Sequence, residues 1–113
     1  MIETEINPEL VEGVKWESDQ EFLQIVREMG ETYLAKNADY GNSFDKTLDQ
    51  FGLVASAVRL NDKVNRISNL IINKEFSVKD ESIEDTLLDL ANYAVMTLAY
   101  IRKHRSSDDI SGQ

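Results

Sequence analysis

The sequence predicts an all-α fold, and three observations carry that expectation. Apolar residues recur at helical period in three long segments, and capping-box signatures stand at the head of two of them. The last segment is apolar around most of its circumference, the pattern of a helix inside a bundle or at a subunit interface.

Taken in order, residues 1–17 read as a lead-in, with Asn7 as N-cap and Pro8 as first residue of a short helix reaching about Val14. Ser18-Asp19-Gln20-Glu21 has capping-box spacing, and Phe22, Val26, Met29 and Tyr33 follow at helical period. These signals predict a helix from Asp19 to about Lys36, with Leu23, Ile25 and Leu34 broadening its buried face. Residues 36–44, KNADYGNSF, combine Asn, Asp, Gly and Ser as turns do, so they read as a loop with Gly41 at positive φ. Tyr40, flanked by Asn37 and Asp39, could instead stack on and hydrogen-bond a base.

Thr47 and Gln50 repeat the capping-box spacing, which predicts a second long helix from Thr47 to about Ile72. Phe51, Val54, Val58, Ile67, Leu70 and Ile71 supply its expected buried face. Gly52 falls inside that range, at a cost of roughly 1 kcal/mol relative to alanine. Arg59, Asp62 or Lys63, and Arg66 share one side of the helix, either as a surface ion-pair ladder or as a face turned towards a site. Residues 73–79 connect to a last helix over 80–105, and 106–113 read as a disordered tail. The folded domain is thus expected over 18–105.

The last helix carries one polar stripe. Glu81, Asp85, Asp89 and Asn92 are spaced four, four and three apart, so they stack on one face. The helix dipole accounts for acidic residues in a first turn, but Asp89 lies more than two turns in, directly before an almost wholly apolar run. A carboxylate there needs cations or hydrogen bonds if the face is packed. The stripe is either a site or a solvated edge.

With 113 residues the chain fits one domain, small enough to gain from oligomerisation. It has no cysteine, so any metal must be held by oxygen or by its single histidine, His104, which is sufficiently explained as a cation at a helix C-terminus. The acidic N-terminus and the lack of a long apolar run suit a cytoplasmic protein without a signal peptide or membrane span. A net charge of −9 disfavours a nucleic-acid polymer as partner. A small phosphorylated ligand on a local cation cluster remains compatible with it.

Three motifs in order, KNADYGNSF, Arg59-Leu-Asn-Asp62-Lys63-Val-Asn-Arg66 and Glu81-Ser-Ile-Glu84-Asp85-Thr-Leu-Leu-Asp89-Leu-Ala-Asn92-Tyr, resemble the nucleotide-modification-associated domain family common in phages. That family is similar to the MazG-like all-α nucleoside triphosphate pyrophosphatases, and the resemblance covers about residues 20–100. It implies a MazG-like antiparallel helical bundle completed as a homodimer or homotetramer, and a role in clearing or supplying nucleotides during phage replication, in a host cytoplasm.

The activity implied is Mg²⁺-dependent hydrolysis, with Mn²⁺ as a substitute, of a nucleoside or deoxynucleoside triphosphate to monophosphate and pyrophosphate. The resemblance then implies Asp62, Asp85 and Asp89 as catalytic, with Glu81 joining them on the metal. Arg59, Lys63 and Arg66 would hold phosphates, Asn37, Asp39 and Tyr40 the base, and Asn92 would orient a carboxylate or water. The relatives carry ExxE and ExxD pairs; here Asp62 stands between Arg59 and Arg66, and Asp85 and Asp89 are four apart. Two other readings stay open: a protein that binds nucleotide without cleaving it, and a structural helical adaptor.

Overall fold

A computed structural model describes residues 12–40, 42–73 and 83–105. Its elements are α1 (Glu17–Tyr40), α2 (Ser43–Phe51), α3 (Val54–Asn73) and α4 (Ile83–His104), with no strand among the described residues. Of the short helix expected over residues 8–14, residues 8–11 lie outside the described residues. Residues 12 and 13 form a turn, and Val14 is not helical. Most of the expected connection over 73–79, the first residues of the last helix and the tail after 105 also lie outside them.

The chain divides into two units, Met1–Gly41 and Asn42–Gln113. In the first, α1 begins at Glu17, so Ser18 lies inside the first turn and is not the cap the sequence suggested. Asp19 ties down the entry, its Oδ2 accepting from the backbone N–H groups of Lys15 at 3.0 Å and Trp16 at 2.9 Å. These two bonds favour the ionised carboxylate and lower its pKa below the ordinary value. The helix runs on to Tyr40, four residues past the expected stop at Lys36, so Asn37, Asp39 and Tyr40 are helical and not a loop. Of its expected buried face, Leu23, Met29 and Tyr33 are half-buried, while Phe22, Ile25, Val26 and Leu34 are exposed.

In the second unit the long helix expected from Thr47 is two helices. Gly52 takes φ 83° and ψ −177°, a backbone conformation open in practice to glycine alone, and it caps α2 by donating its N–H to the Leu48 carbonyl at 2.8 Å. Thr47 is a residue of α2, and its hydroxyl donates to the Ser43 carbonyl at 3.0 Å, so it caps nothing. Gly41, expected at positive φ, lies outside the described residues; beside it Asn42 is left-handed, at φ 64°. Leu48, 1% exposed, is the core residue that anchors α2.

Helices α3 and α4 pack antiparallel, as contacts from Ser56 to Thr97, Arg59 to Tyr93 and Lys63 to Asp89 require. Thr97 donates its hydroxyl to the Tyr93 carbonyl at 2.7 Å, so it receives the Ser56 hydroxyl proton; Ser56 is buried, and this bond fixes the register. Helical periodicity gives each helix two flanks. Periodicity places Arg59, Asp62 and Arg66 of α3 and Asp85, Asp89 and Asn92 of α4 on one side of the pair. Ala57, Leu60, Val64, Ile67 and Ile71 of α3, with Leu87, Ala91, Ala94, Leu98 and Ile101 of α4, fall on the other. Of the expected buried face of α3, Leu70 is buried, Ile67 is half-buried, and Val54, Val58 and Ile71 are exposed; Phe51, also expected there, is exposed at the end of α2.

At its far end α4 is clamped to α2. Tyr100 donates its hydroxyl to Asp49 Oδ1 at 2.7 Å, and Lys103 Nζ pairs with Asp45 Oδ2 at 2.6 Å. Arg102, Lys103 and His104 occupy the last turn of α4, where positive charge complements the helix dipole. His104 Nδ1 donates to the Tyr100 carbonyl at 2.9 Å, which turns Nε2 towards Asp49 Oδ1, 3.7 Å away. No helix among the described residues is long and apolar enough to cross a membrane.

Candidate functional site

The polar side of the α3–α4 pair holds a groove of about 400 Å³ lined by Arg59, Asp62, Lys63, Arg66 and Tyr93. Spacings of three, one and three along α3 bring its four lining residues to one side, as the sequence pattern indicated. Three cations to one carboxylate make this a basic patch on a chain whose net charge is −9.

Lys63 reaches across to α4, where its Nζ bonds Asp89 Oδ2 at 3.1 Å, with side chains 22% and 25% exposed. The desolvation argument that singled out Asp89 is therefore met by a cation of this chain. Arg59 is differently placed. Its Nη1 donates to the Tyr93 hydroxyl at 3.2 Å, its guanidinium carbon stands 5.7 Å from the centroid of the Tyr93 ring, and among the described residues it forms no ion pair with a carboxylate. Tyr93 in turn packs against Phe44 of α2, centroids 5.2 Å apart at 59°. Tyr93 is the lining residue that the sequence reading left unassigned. Its signal was present: it lies four residues after Asp89 and so continues the same face into the apolar run.

The remaining residues are placed as follows. Asp85 is exposed in the first turn of α4, one turn before Asp89, and Asn92 is half-buried three residues after it. Glu81 lies outside the described residues. Asn37 belongs to the first unit and is half-buried in the last turns of α1; Asp39 and Tyr40 are in the same helix, with side chains outside what is described. Among the described residues no three His, Asp or Glu side chains gather to hold a metal ion, so Asp62, Asp85 and Asp89 do not form a centre by themselves. Asp85 and Asp89 lie one turn apart on α4, and Asp89 is bonded to Lys63.

Chemically, the groove offers an anion two guanidinium groups and an ammonium, donors suited to phosphate oxygens. A family model described as nucleotide modification associated domain 1 matches residues 36–101, which span α2, α3 and most of α4. No curated protein and no solved structure matches the chain.

Proposed function

Because the chain belongs to the nucleotide modification associated domain 1 family, we propose that it binds the phosphates of a nucleoside or deoxynucleoside triphosphate in the α3–α4 groove. The observation that carries this reading is the gathering of Arg59, Lys63 and Arg66 along one groove of an acidic chain. Each phosphate oxygen that accepts from a guanidinium gains a charge-assisted bond. The surrounding negative charge opposes long polyanions and leaves a short one admissible.

Hydrolysis to a nucleoside monophosphate and pyrophosphate is the second reading, favoured by the position of Asp85 and Asp89 beside the cations. These two residues would hold a Mg²⁺ or Mn²⁺ ion carried on the triphosphate. Bound there, the ion would lower the pKa of a water molecule and shield phosphate charge. Arg59 and Arg66 would orient the phosphates and stabilise charge on the leaving pyrophosphate. Lys63 would move from Asp89 to a phosphate oxygen when the carboxylate turns to the ion, and Asn92 would orient the carboxylate or the water.

Calorimetric binding of a panel of ribo- and deoxynucleoside triphosphates, run beside a pyrophosphate-release assay with and without Mg²⁺, tests both readings. Binding that Arg66→Ala weakens about tenfold or more supports the site. Pyrophosphate release that requires Mg²⁺ and disappears in Asp89→Asn supports hydrolysis. Binding without release leaves a nucleotide-sequestering protein. No binding by any nucleotide overturns both and favours a structural helical adaptor.

We also propose that a second copy of the chain covers the apolar side of the α3–α4 pair, where Val64, Ile71, Leu87 and Leu98 are 44–50% exposed. Two parallel stripes of this kind are the surface that helix packing uses. Light scattering should give a dimer or tetramer mass that Leu98→Glu lowers; a monomeric mass at tens of micromolar protein would refute it.

A further inference from the structure

We infer that Tyr93 is the positioning residue for Arg59, and that it aims this guanidinium into the groove as a contact for phosphate. The inference rests on the phosphate-binding reading of the groove and adds to it a residue and a role.

The argument begins with what holds each cation. Lys63 is fixed by the Asp89 carboxylate, which also cancels much of its charge. Arg59, among the described residues, is held by no carboxylate; its partner is the neutral Tyr93 side chain, which contacts it twice, through the hydroxyl at 3.2 Å and the ring at 5.7 Å. A phenol oxygen and an aromatic face orient a guanidinium without neutralising it. A long side chain that would otherwise be spread over many rotamers thus keeps both a defined place and its full charge. Both properties raise its value to an incoming anion, since less ordering remains to be done on binding.

Tyr93 can do this because it is itself held at two points. Its backbone carbonyl accepts from Thr97, which is tied to Ser56 of α3, and its ring rests against Phe44. Phe44 belongs to α2, whose seat on the core depends on Leu48 one turn later. With Arg59 over its ring and Phe44 against it, Tyr93 is engaged as a support and is not left as a stacking platform for a base. The expected consequence is loss of affinity that is independent of the base and acts only through Arg59.

A double-mutant cycle decides this, with inorganic tripolyphosphate as the titrated probe and calorimetry as readout. Tyr93→Phe retains the ring and removes the hydroxyl, and should weaken binding roughly three- to tenfold. Tyr93→Leu removes both contacts and should weaken it further. In an Arg59→Ala background, Tyr93→Phe should change affinity by less than about twofold, because the group it positions is gone. Equal losses in both backgrounds would overturn the positioning role while leaving the groove intact as the site, as would a Tyr93→Phe protein that binds like the wild type. An Arg59→Ala protein with undiminished affinity would overturn Arg59 as a phosphate contact and the positioning role with it, whereas a wild-type protein that fails to bind tripolyphosphate would overturn the phosphate reading itself. A melting temperature within about 2 °C of wild type for Tyr93→Phe confirms that the comparison is between folded proteins.

Discussion

Replacing Tyr100 by phenylalanine isolates the clamp between α2 and α4, and its energetic effect has a defined pH signature. Tyr100 is 7% exposed, and its hydroxyl donates to Asp49 Oδ1 at 2.7 Å. That hydrogen bond, then burial, then the negative charges of Asp49 and Asp45 push the phenol pKa up from 10.0 to about 12. A shift of that size corresponds to about 2.7 kcal/mol of preference for the neutral phenol. Asp49 stands largely in solvent, its side chain 59% exposed, and screening there reduces the contribution to about 1–2 kcal/mol. The folded pKa is the higher one, so the stabilisation is fully present below pH 10. It is lost as pH rises through 12, with about half gone by pH 11. Urea unfolding followed by far-UV circular dichroism, at one protein concentration, should show Tyr100→Phe less stable by about 1–2 kcal/mol at pH 7. The gap between the two proteins should then narrow towards pH 11, where other groups titrate alike in both. Absorbance at 295 nm should show one tyrosine ionising later than the rest in the wild type and not in the variant. Equal stability at pH 7, or a gap that stays constant from pH 7 to 11, would refute the clamp.

Three further outcomes follow from the same packing. Gly52→Ala should cost about 1–3 kcal/mol in thermal or urea unfolding; no atom lies within 4 Å of the added Cβ, so the cost is wholly that of an alanine at φ 83°. Leu48→Ala should cost about 2–5 kcal/mol by the same measurement, because it empties the contact that seats α2. Lys63→Ala should destabilise by about 1–2 kcal/mol by leaving Asp89 half-buried and without that cation, and the double variant with Asp89→Ala should lose less than the sum of the two single losses. Additivity in that cycle would show that the 3.1 Å pair contributes nothing to folding.

The helices themselves were legible where a periodic pattern ran unbroken. Residues 83–104 form a helix inside the predicted segment and 54–73 one that ends within a residue of it, and Arg59, Asp62, Lys63 and Arg66 share one side of α3, as their spacing indicated. The errors have local physical causes. Two capping boxes, at Ser18 and Thr47, matched the pattern without being used, since side chains able to cap also sit inside helices when the backbone is already paired. Gly52 was expected inside a helix, at a cost of roughly 1 kcal/mol; nothing in the neighbouring residues announces the positive φ that turns it into a stop. Tyr93 differs: its spacing of four from Asp89 marks it as part of the polar face, but its contacts with Arg59, 34 residues away in sequence, and with Phe44 of another helix are visible only in the fold.

The two flanks of the α3–α4 pair give one short acidic chain a charged groove and, apart from it, an exposed apolar face. Arg59, Asp62 and Arg66 recur at three and four residues, and so do Ala57, Leu60, Val64, Ile67 and Ile71; the two sets share a period and differ only in phase. On α4 the same holds for Asp85, Asp89 and Asn92 against Leu87, Ala91, Ala94, Leu98 and Ile101. Burying the apolar stripes against a second copy would therefore desolvate none of the groove's charges, which avoids the cost that makes buried ions weak contributors to association. It would also leave the groove facing solvent, where a phosphate can reach Arg59. The division puts Lys63 and Tyr93 at the seam between the helices, and these are the residues whose contacts hold one helix's charges in register with the other's.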